Sequence, residues 1–131
     1  MTFRDFDLKR DLDAVTRIWL ECGWIDQSQA PWLKDFFGVG DALVATIDDE
    51  AECAVHSTPG AMNYLGETLQ LGAVTAVTTS RVARKTGFAR QLTARLLARQ
   101  AEQGCDISAL GMFDQGFYDK VGFGSGSYAH W

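Results

Sequence analysis

No stretch of the sequence approaches the roughly 18 uninterrupted apolar residues that a membrane span requires. The opening segment, MTFRDFDLKRDLD, is charged and has no apolar core of a signal peptide. The expectation is a soluble, cytoplasmic protein with no membrane partner. Cysteine is sparse: Cys22, Cys53 and Cys105 are odd in number, far apart and form no CxxC pair, which argues against a disulfide framework and for reduced, mostly buried thiols. Histidine is sparser still. His56 and His130 share no ligand spacing with each other or with the cysteines, so no metal is expected. Two nucleotide signatures, GxxxxGK[ST] and GxGxxG, are missing as well; GFGSGS at 122–127 has spaced glycines but follows a helical segment rather than a strand, and is read as a turn. There is no internal repeat and no low-complexity tract.

What the chain does have is enough apolar material for one core. With 131 residues, 47% of them hydrophobic, it is expected to form a single domain over residues 1–131. Its net charge of −5 hides an asymmetry. Six basic and no acidic residues lie between Arg81 and Arg99 (Arg81, Arg84, Lys85, Arg90, Arg95, Arg99), leaving −11 on the rest of the chain. An anionic ligand at one site follows from that split, with a cationic ligand open elsewhere.

Periodicity sets the order of elements. MTFRDF alternates as a first strand, and Leu12, Val15, Trp19 and Cys22 recur at helical spacing up to Gly23. APWLKDFFG is a short helix with Pro31 in its first turn. ALVATID and AECAVHS read as a hairpin across an acidic turn, and TPGAMNYLGE as a loop around Gly60 and Gly66. A β-branched strand over 69–79, a helix over 87–103 and a strand over 106–113 make a βαβ crossover with its two strands parallel. QGFYDKVG follows as one short helix and GSGSYAHW as the beginning of a last strand. The order β-α-α-β-β-β-α-β-α-β defines an α/β domain with a mixed sheet, whose ligand site is expected at the carboxyl end of the crossover's first strand.

The basic stretch sits at that end. Helix N-termini already present positive charge, so cations there are unfavourable unless a bound anion pairs with them. A strand–loop–helix passage leaves several N–H groups without intrahelical partners, which makes an anion site. A pyrophosphate would reconcile Arg84 and Lys85 with the dipole, Gly87 would let the backbone approach it, and Ala89 keeps the next turn small. Arg95 and Arg99, farther along the helix, are read as solvated surface.

The segment RKTGFA, Arg84 to Ala89, matches the [R/Q]xxGx[G/A] signature of the GNAT superfamily of acyl-CoA transferases, and FYDKVGFG resembles its FYxKxGF element. The likeness covers nearly the full chain, strongly after Leu69 and weakly from Gly23 to Thr68. Within the superfamily, GAVTAV, the basic loop and GFYDKVGFG are most similar to the N-terminal domain of enhanced-intracellular-survival (Eis) type acetyltransferases. The resemblance implies a GNAT-like mixed sheet flanked by helices, acetyl-CoA as cosubstrate, and transfer of acetyl to an amine by direct attack. It implies that backbone around Val77 and Thr79 pairs with the pantetheine arm, that Arg84, Lys85, Thr86, Gly87, Phe88 and Ala89 hold the pyrophosphate, and that Tyr118 is the acid protonating the departing thiolate.

The resemblance also implies one more strand beyond Trp131 and, for Eis-type proteins, a second acetyltransferase-like region and a further C-terminal domain. The chain is therefore open to being a fragment, a homo-oligomer is open too, and the C-terminal carboxylate that serves as base in Eis-type enzymes has no counterpart here. Base candidates within the chain are Glu21, Asp26, His56 and Asp114. The acceptor is a small-molecule or lysine amine, and the acidic remainder favours a cationic one. Two other readings stay open: a catalytically silent acyl-CoA-binding or assembly module, and, less consistent with the net acidity, a nucleic-acid-binding domain.

Overall fold

The computed structural model describes residues 1–112 and 116–126. Among these, five strands form one sheet in sequential order: β1 (Thr2–Asp5), β2 (Asp41–Ile47), β3 (Glu50–Tyr64), β4 (Glu67–Thr79) and β5 (Ile107–Leu110). The first four are antiparallel neighbours, and β5 runs parallel to β4. The helices are α1 (Leu8–Glu21), α2 (Leu33–Phe37), preceded by a 3-10 turn at Ala30–Trp32, and α3 (Phe88–Glu102). No helix among the described residues is long and apolar enough to cross a membrane.

The alternation of β2 explains the layering. Ala42 and Val44 face one core with Val15, Trp19, Leu33 and Phe37 of α1 and α2. Leu43 and Ala45 face a second core with Val55, Val74, Leu92 and Leu96 under α3. A strand covered on both sides reads as a continuous apolar run, which is what ALVAT is. Asp7 caps α1, accepting from Lys9 N and Arg10 N at 2.9 Å.

One carboxylate is buried inside this frame. Asp11, 1% exposed, takes a two-pronged contact from Arg4 on β1 at 2.6 and 2.7 Å and a third hydrogen bond from Asp7 N at 2.8 Å. The cost of its desolvation is outweighed by these donors and the guanidinium charge, which hold the carboxyl below its ordinary range. β1 is thereby bolted to the first turn of α1.

His56 does the same for α2. Its fully buried ring lies against Phe36 and Phe37, with centroids at 4.5 and 5.3 Å. Nε2 is 2.6 Å from the Val39 carbonyl oxygen, which can only accept, so Nε2 carries the proton. Nδ1 then accepts from the Thr75 hydroxyl at 2.5 Å. Burial holds the imidazole below the ordinary histidine range, against the Val39 contact and the Asp41 charge, which raise it.

Three expectations are corrected. TPGAMNYLGE is no loop: β3 continues through Pro59 and Gly60 to Tyr64, and Leu65–Gly66, at φ 48° and 81°, turn directly into β4. The positive φ at both positions suits a two-residue hairpin turn. Pro59 is tolerated because β2 pairs no farther than Ser57, so the strand has a single neighbour there. Arg99 is not solvated surface; it bridges Asp5 of β1 and Asp41 of β2, while Arg95 lies 4.6 Å over the Phe3 ring. The strand expected over 106–113 is shorter, Ile107–Leu110. The last expected strand falls mostly outside the described residues.

Asp11→Ala should leave Arg4 without its buried partner and lower unfolding stability by about 2–4 kcal/mol in urea titrations, under the full cost of a broken buried pair because Arg4 keeps some solvent. His56 generates a pH dependence. Its folded-state pKa lies below the unfolded value of about 6.5, so stability is full above that pH and declines as pH falls below it. Urea midpoints taken from pH 7.5 to pH 5.5 should drop more for the wild type than for His56→Gln.

Candidate active site

The parallel pair is short. Among the described residues, β5 matches β4 only from Leu71↔Ile107 to Val74↔Leu110, whereas β4 continues to Thr79 with β3 alone beside it. A bulge lies at the parting: His56 pairs with Ala76 and Ser57 with Val74, which leaves Thr75 as the extra residue. Thr75 is thereby turned out and exposed, although its hydroxyl stays on the buried His56 ring.

Between the diverging strands lies a cavity of about 800 Å³. Thr75 and Val77 of β4 form one side and Leu110 and Gly111 at the end of β5 another, with Trp19, Trp24 and Phe36 closing it from the α1 and α2 side. Tyr118 completes the lining. It begins a 3-10 turn, Tyr118–Val121, and its half-buried ring meets Phe117 and Phe123 edge-on at 4.9 and 6.1 Å. Crevices outside the carboxyl ends of strands are where open α/β sheets bind ligands.

The basic loop shapes a second cavity of about 380 Å³, lined by Thr79, Arg84, Lys85, Gly87, Ala89 and Lys120 among others. Lys85 and Gly87 both take positive φ, 64° and 85°, around a loop whose Arg84 is extended. Among the described residues, none accepts from the N–H groups of Lys85, Gly87, Phe88 or Ala89, so these donors converge unspent at the start of α3. A Cβ at Gly87 would find room, its nearest neighbour being Gln91 Nε2 at 3.7 Å; glycine is required there by backbone conformation rather than by protein crowding. Thr86 turns both its hydroxyl, at 2.6 Å, and its N–H, at 3.4 Å, back to the Ala83 carbonyl, and the Phe88 ring is buried against Phe3, so of these two positions only Phe88 keeps an unspent N–H.

The loop is held from behind. Ser80 N donates to the Glu52 carbonyl at 2.8 Å and Arg81 N to Glu21 Oε2 at 3.1 Å, while Arg17 holds the other Glu21 oxygen at 3.0 Å. Glu21 is therefore occupied as a strut, its carboxyl kept low first by the Arg81 N–H and then by Arg17. Asp26 is spent on its own turn, accepting from Ser28 and Gln29. His56 is not in the cavity lining and touches it through Thr75 and Phe36, and Asp114 lies outside the described residues. Burial raises the Cys53 thiol to about 11, so it stays protonated beside Thr79 Oγ1 at 3.2 Å. No group of three His, Cys, Asp or Glu side chains among the described residues is placed for a metal ion.

Val77 and Thr79 thus fall on the β4 edge that leads from the larger cavity to the loop, and Tyr118 lines the larger cavity together with Val77. Thr75 had no signature in the sequence, since a bulge has no local motif; Trp19 and Trp24 read there as core or pocket wall, and Phe36 joins them only through the packing of α2 on α1.

No curated protein matches the chain in sequence. Solved structures with a similar fold include a transcriptional regulator from Bacillus halodurans C-125 (TM-score 0.79, 19% identity, 99% of each chain covered). Another is glucosamine-6-phosphate N-acetyltransferase from Arabidopsis thaliana (TM-score 0.76, 11% identity, 99% of this chain and 95% of that one). A third is AAC(6')-Iy in complex with the bisubstrate analog CoA-S-monomethyl-acetylneamine (TM-score 0.79, 12% identity, 99% and 95% covered). At these identities the likeness shows the fold alone. The family model described as Acetyltransferase (GNAT) domain matches residues 7–126, which takes in the parting strands, the basic loop and the tyrosine turn together. The chain belongs to the GNAT acetyltransferase domain family.

Proposed function

We propose that the protein transfers an acetyl group from acetyl-CoA to a primary amine by direct attack. The observation that carries this reading is the continuity of β4's unpaired edge from the anion-binding loop at Thr79 to the apolar cavity at Thr75, about 13 Å at strand rise. A pantetheine arm needs such a path: polar backbone along its length, cations at one end and a water-poor chamber at the other.

In this reading Arg84, Lys85 and the N–H groups of Lys85, Gly87, Phe88 and Ala89 hold the pyrophosphate, with Lys120 close by. Backbone around Val77 and Thr79 pairs with the amides of the arm, and a strand N–H near Val77 polarises the thioester carbonyl. The neutral amine attacks that carbon, the C–S bond breaks, and Tyr118 gives its phenolic proton to the leaving thiolate. The amine's proton passes to water, since no described residue lining the cavity bears a carboxylate. The phenol is then restored from solvent. Acetyl-CoA is the cosubstrate of the family, and no step calls for a metal. Among family members we place the chain nearest the Eis-type acetyltransferases, on the strength of GAVTAV and GFYDKVGFG.

Calorimetric titration with acetyl-CoA tests the loop. Gly87→Asp should abolish binding in a protein that still shows a native circular dichroism spectrum, and replacing Arg84 and Lys85 together with Gln should weaken it by about 1–3 kcal/mol and flatten its salt dependence. Unchanged affinity in both would remove the cofactor from this loop. Tyr118→Phe separates chemistry from binding: kcat should fall by about 10²–10⁴ with acetyl-CoA affinity little altered.

A further inference from the structure

We infer that Thr75 and His56 form a proton relay serving the attacking amine: Thr75 Oγ1 takes a proton from the amine nitrogen while passing its own hydroxyl proton to His56 Nδ1. This rests on the acetyl-transfer reading and gives the route by which the amine's proton leaves the cavity for water.

The bulge places the first member. Thr75 is exposed and lines the larger cavity, two residues along β4 from Val77, whose backbone that reading sets beside the thioester. Its Oγ1 lies 2.5 Å from His56 Nδ1 and 3.2 Å from the His56 carbonyl oxygen. A hydroxyl has one proton for these two acceptors. While Nδ1 is bare, that proton points to the ring and the oxygen's lone pairs remain for an amine N–H. Once Nδ1 is protonated, the ring donates to Oγ1 and the hydroxyl proton turns to the carbonyl. Both states of the pair are therefore hydrogen-bonded.

The second member is set up as a base. Nε2 is held on the Val39 carbonyl at 2.6 Å, so the bare nitrogen is Nδ1. Phe36 and Phe37 lie against the ring, and a Cβ at Gly40 would come within 3.1 Å of Cε1 and Nε2, so backbone and rings close around the imidazole. Burial keeps it below the ordinary histidine range, against the Val39 carbonyl, the Asp41 charge and the Phe36 backbone, which raise it. The ring is thus neutral and able to accept at pH 7. Of the charged groups on the elements packed against it, Asp41 of β2 is paired with Arg99, and Lys34 and Asp35 of α2 lie exposed. A hydroxyl, an imidazole within hydrogen-bond reach and a third group orienting the imidazole are the arrangement that activates a hydroxyl for proton exchange.

The protons balance. As the amine adds to the thioester carbon, its N–H bond breaks and a new Oγ1–H bond forms, while the old Oγ1–H bond breaks and Nδ1–H forms. His56 is left as an imidazolium with its Nε2–H still on Val39. After the C–S bond has broken and the amide has left, the same path runs in reverse and delivers the proton to water.

The test follows thiol release from acetyl-CoA by the full chain, with spermidine, kanamycin or 2-phenylethylamine as acceptor and with water alone. At pH 7.5, Thr75→Val and His56→Gln should each lower kcat by about 10²–10⁴ with acetyl-CoA affinity unchanged, and Thr75→Ser should recover most of it. A second measurement separates this from packing. The ratio of wild-type to His56→Gln kcat, in which the amine's own titration cancels, should be large at pH 7.5 and fall toward unity as pH drops below about 6.5, with circular dichroism confirming the fold at each pH. An unchanged kcat in Thr75→Val, or a ratio flat in pH, would overturn the relay and leave the transfer reading standing. If no acceptor is turned over, nitrogen NMR of the ring decides. A proton on Nε2, a bare Nδ1 and a ring pKa that moves in Thr75→Val support the relay; a proton on Nδ1, or a pKa indifferent to Thr75, overturns it. Failure of the wild type to bind acetyl-CoA removes the transfer reading and the relay together.

Discussion

The parting of β4 from β5 after the Val74↔Leu110 pair governs the rest of the molecule. Sheets close their hydrogen bonds wherever they can, and a strand edge left open from Thr75 to Thr79 must be compensated. Two devices keep it open. The Thr75 bulge redirects β4 at the parting, and the wall of Trp19, Phe36 and Tyr118 lines the angle with side chains instead of backbone. The parallel pair itself is only four residues long, and it is stabilised through α3, whose Leu92 and Leu96 bury against Val55 and Val74. The open edge is thus supported by the same crossover helix that carries the anion loop.

Electrostatics divides that helix in two. Arg84 and Lys85 lie exposed beside the loop cavity, where converging N–H groups compound their positive potential. Fourteen residues beyond Lys85, Arg99 is turned to the opposite end of the sheet, where it joins β1 to β2. A single basic run therefore serves a ligand at one end and the scaffold at the other, and net charge alone does not separate these uses. Glu21 shows the converse: an acidic residue close to the site contributes by fixing the loop's backbone, not by exchanging protons.

Much of this was legible in the residues. The β-branched run, the cations and Gly87 identify the strand, loop and helix because each depends on local backbone chemistry, and the tyrosine turn follows from its own short motif. The segment from Thr58 to Gly66 was not legible as strand, since proline and glycine there mimic a loop; only the absence of β2 beyond Ser57 makes Pro59 acceptable. Arg99 escaped for a related reason, its partners Asp5 and Asp41 being distant in sequence. The chamber wall was the least legible part. It depends on which aromatic rings α2 delivers beside α1, and the buried His56 is what pins α2 there.

The β3–β4 ribbon beyond Ser57 has a consequence for motion. Near Val55 the strand lies under two cores and between two neighbours, so its amides open only with the whole fold; from Pro59 to Tyr64 it has one neighbour, and the tip residue Leu65 is 86% exposed. An isolated pair of strands is barely stable in water. Deuterium should therefore enter the tip far sooner than the base, so that one continuous strand holds a slow-exchanging root and a fast-exchanging end.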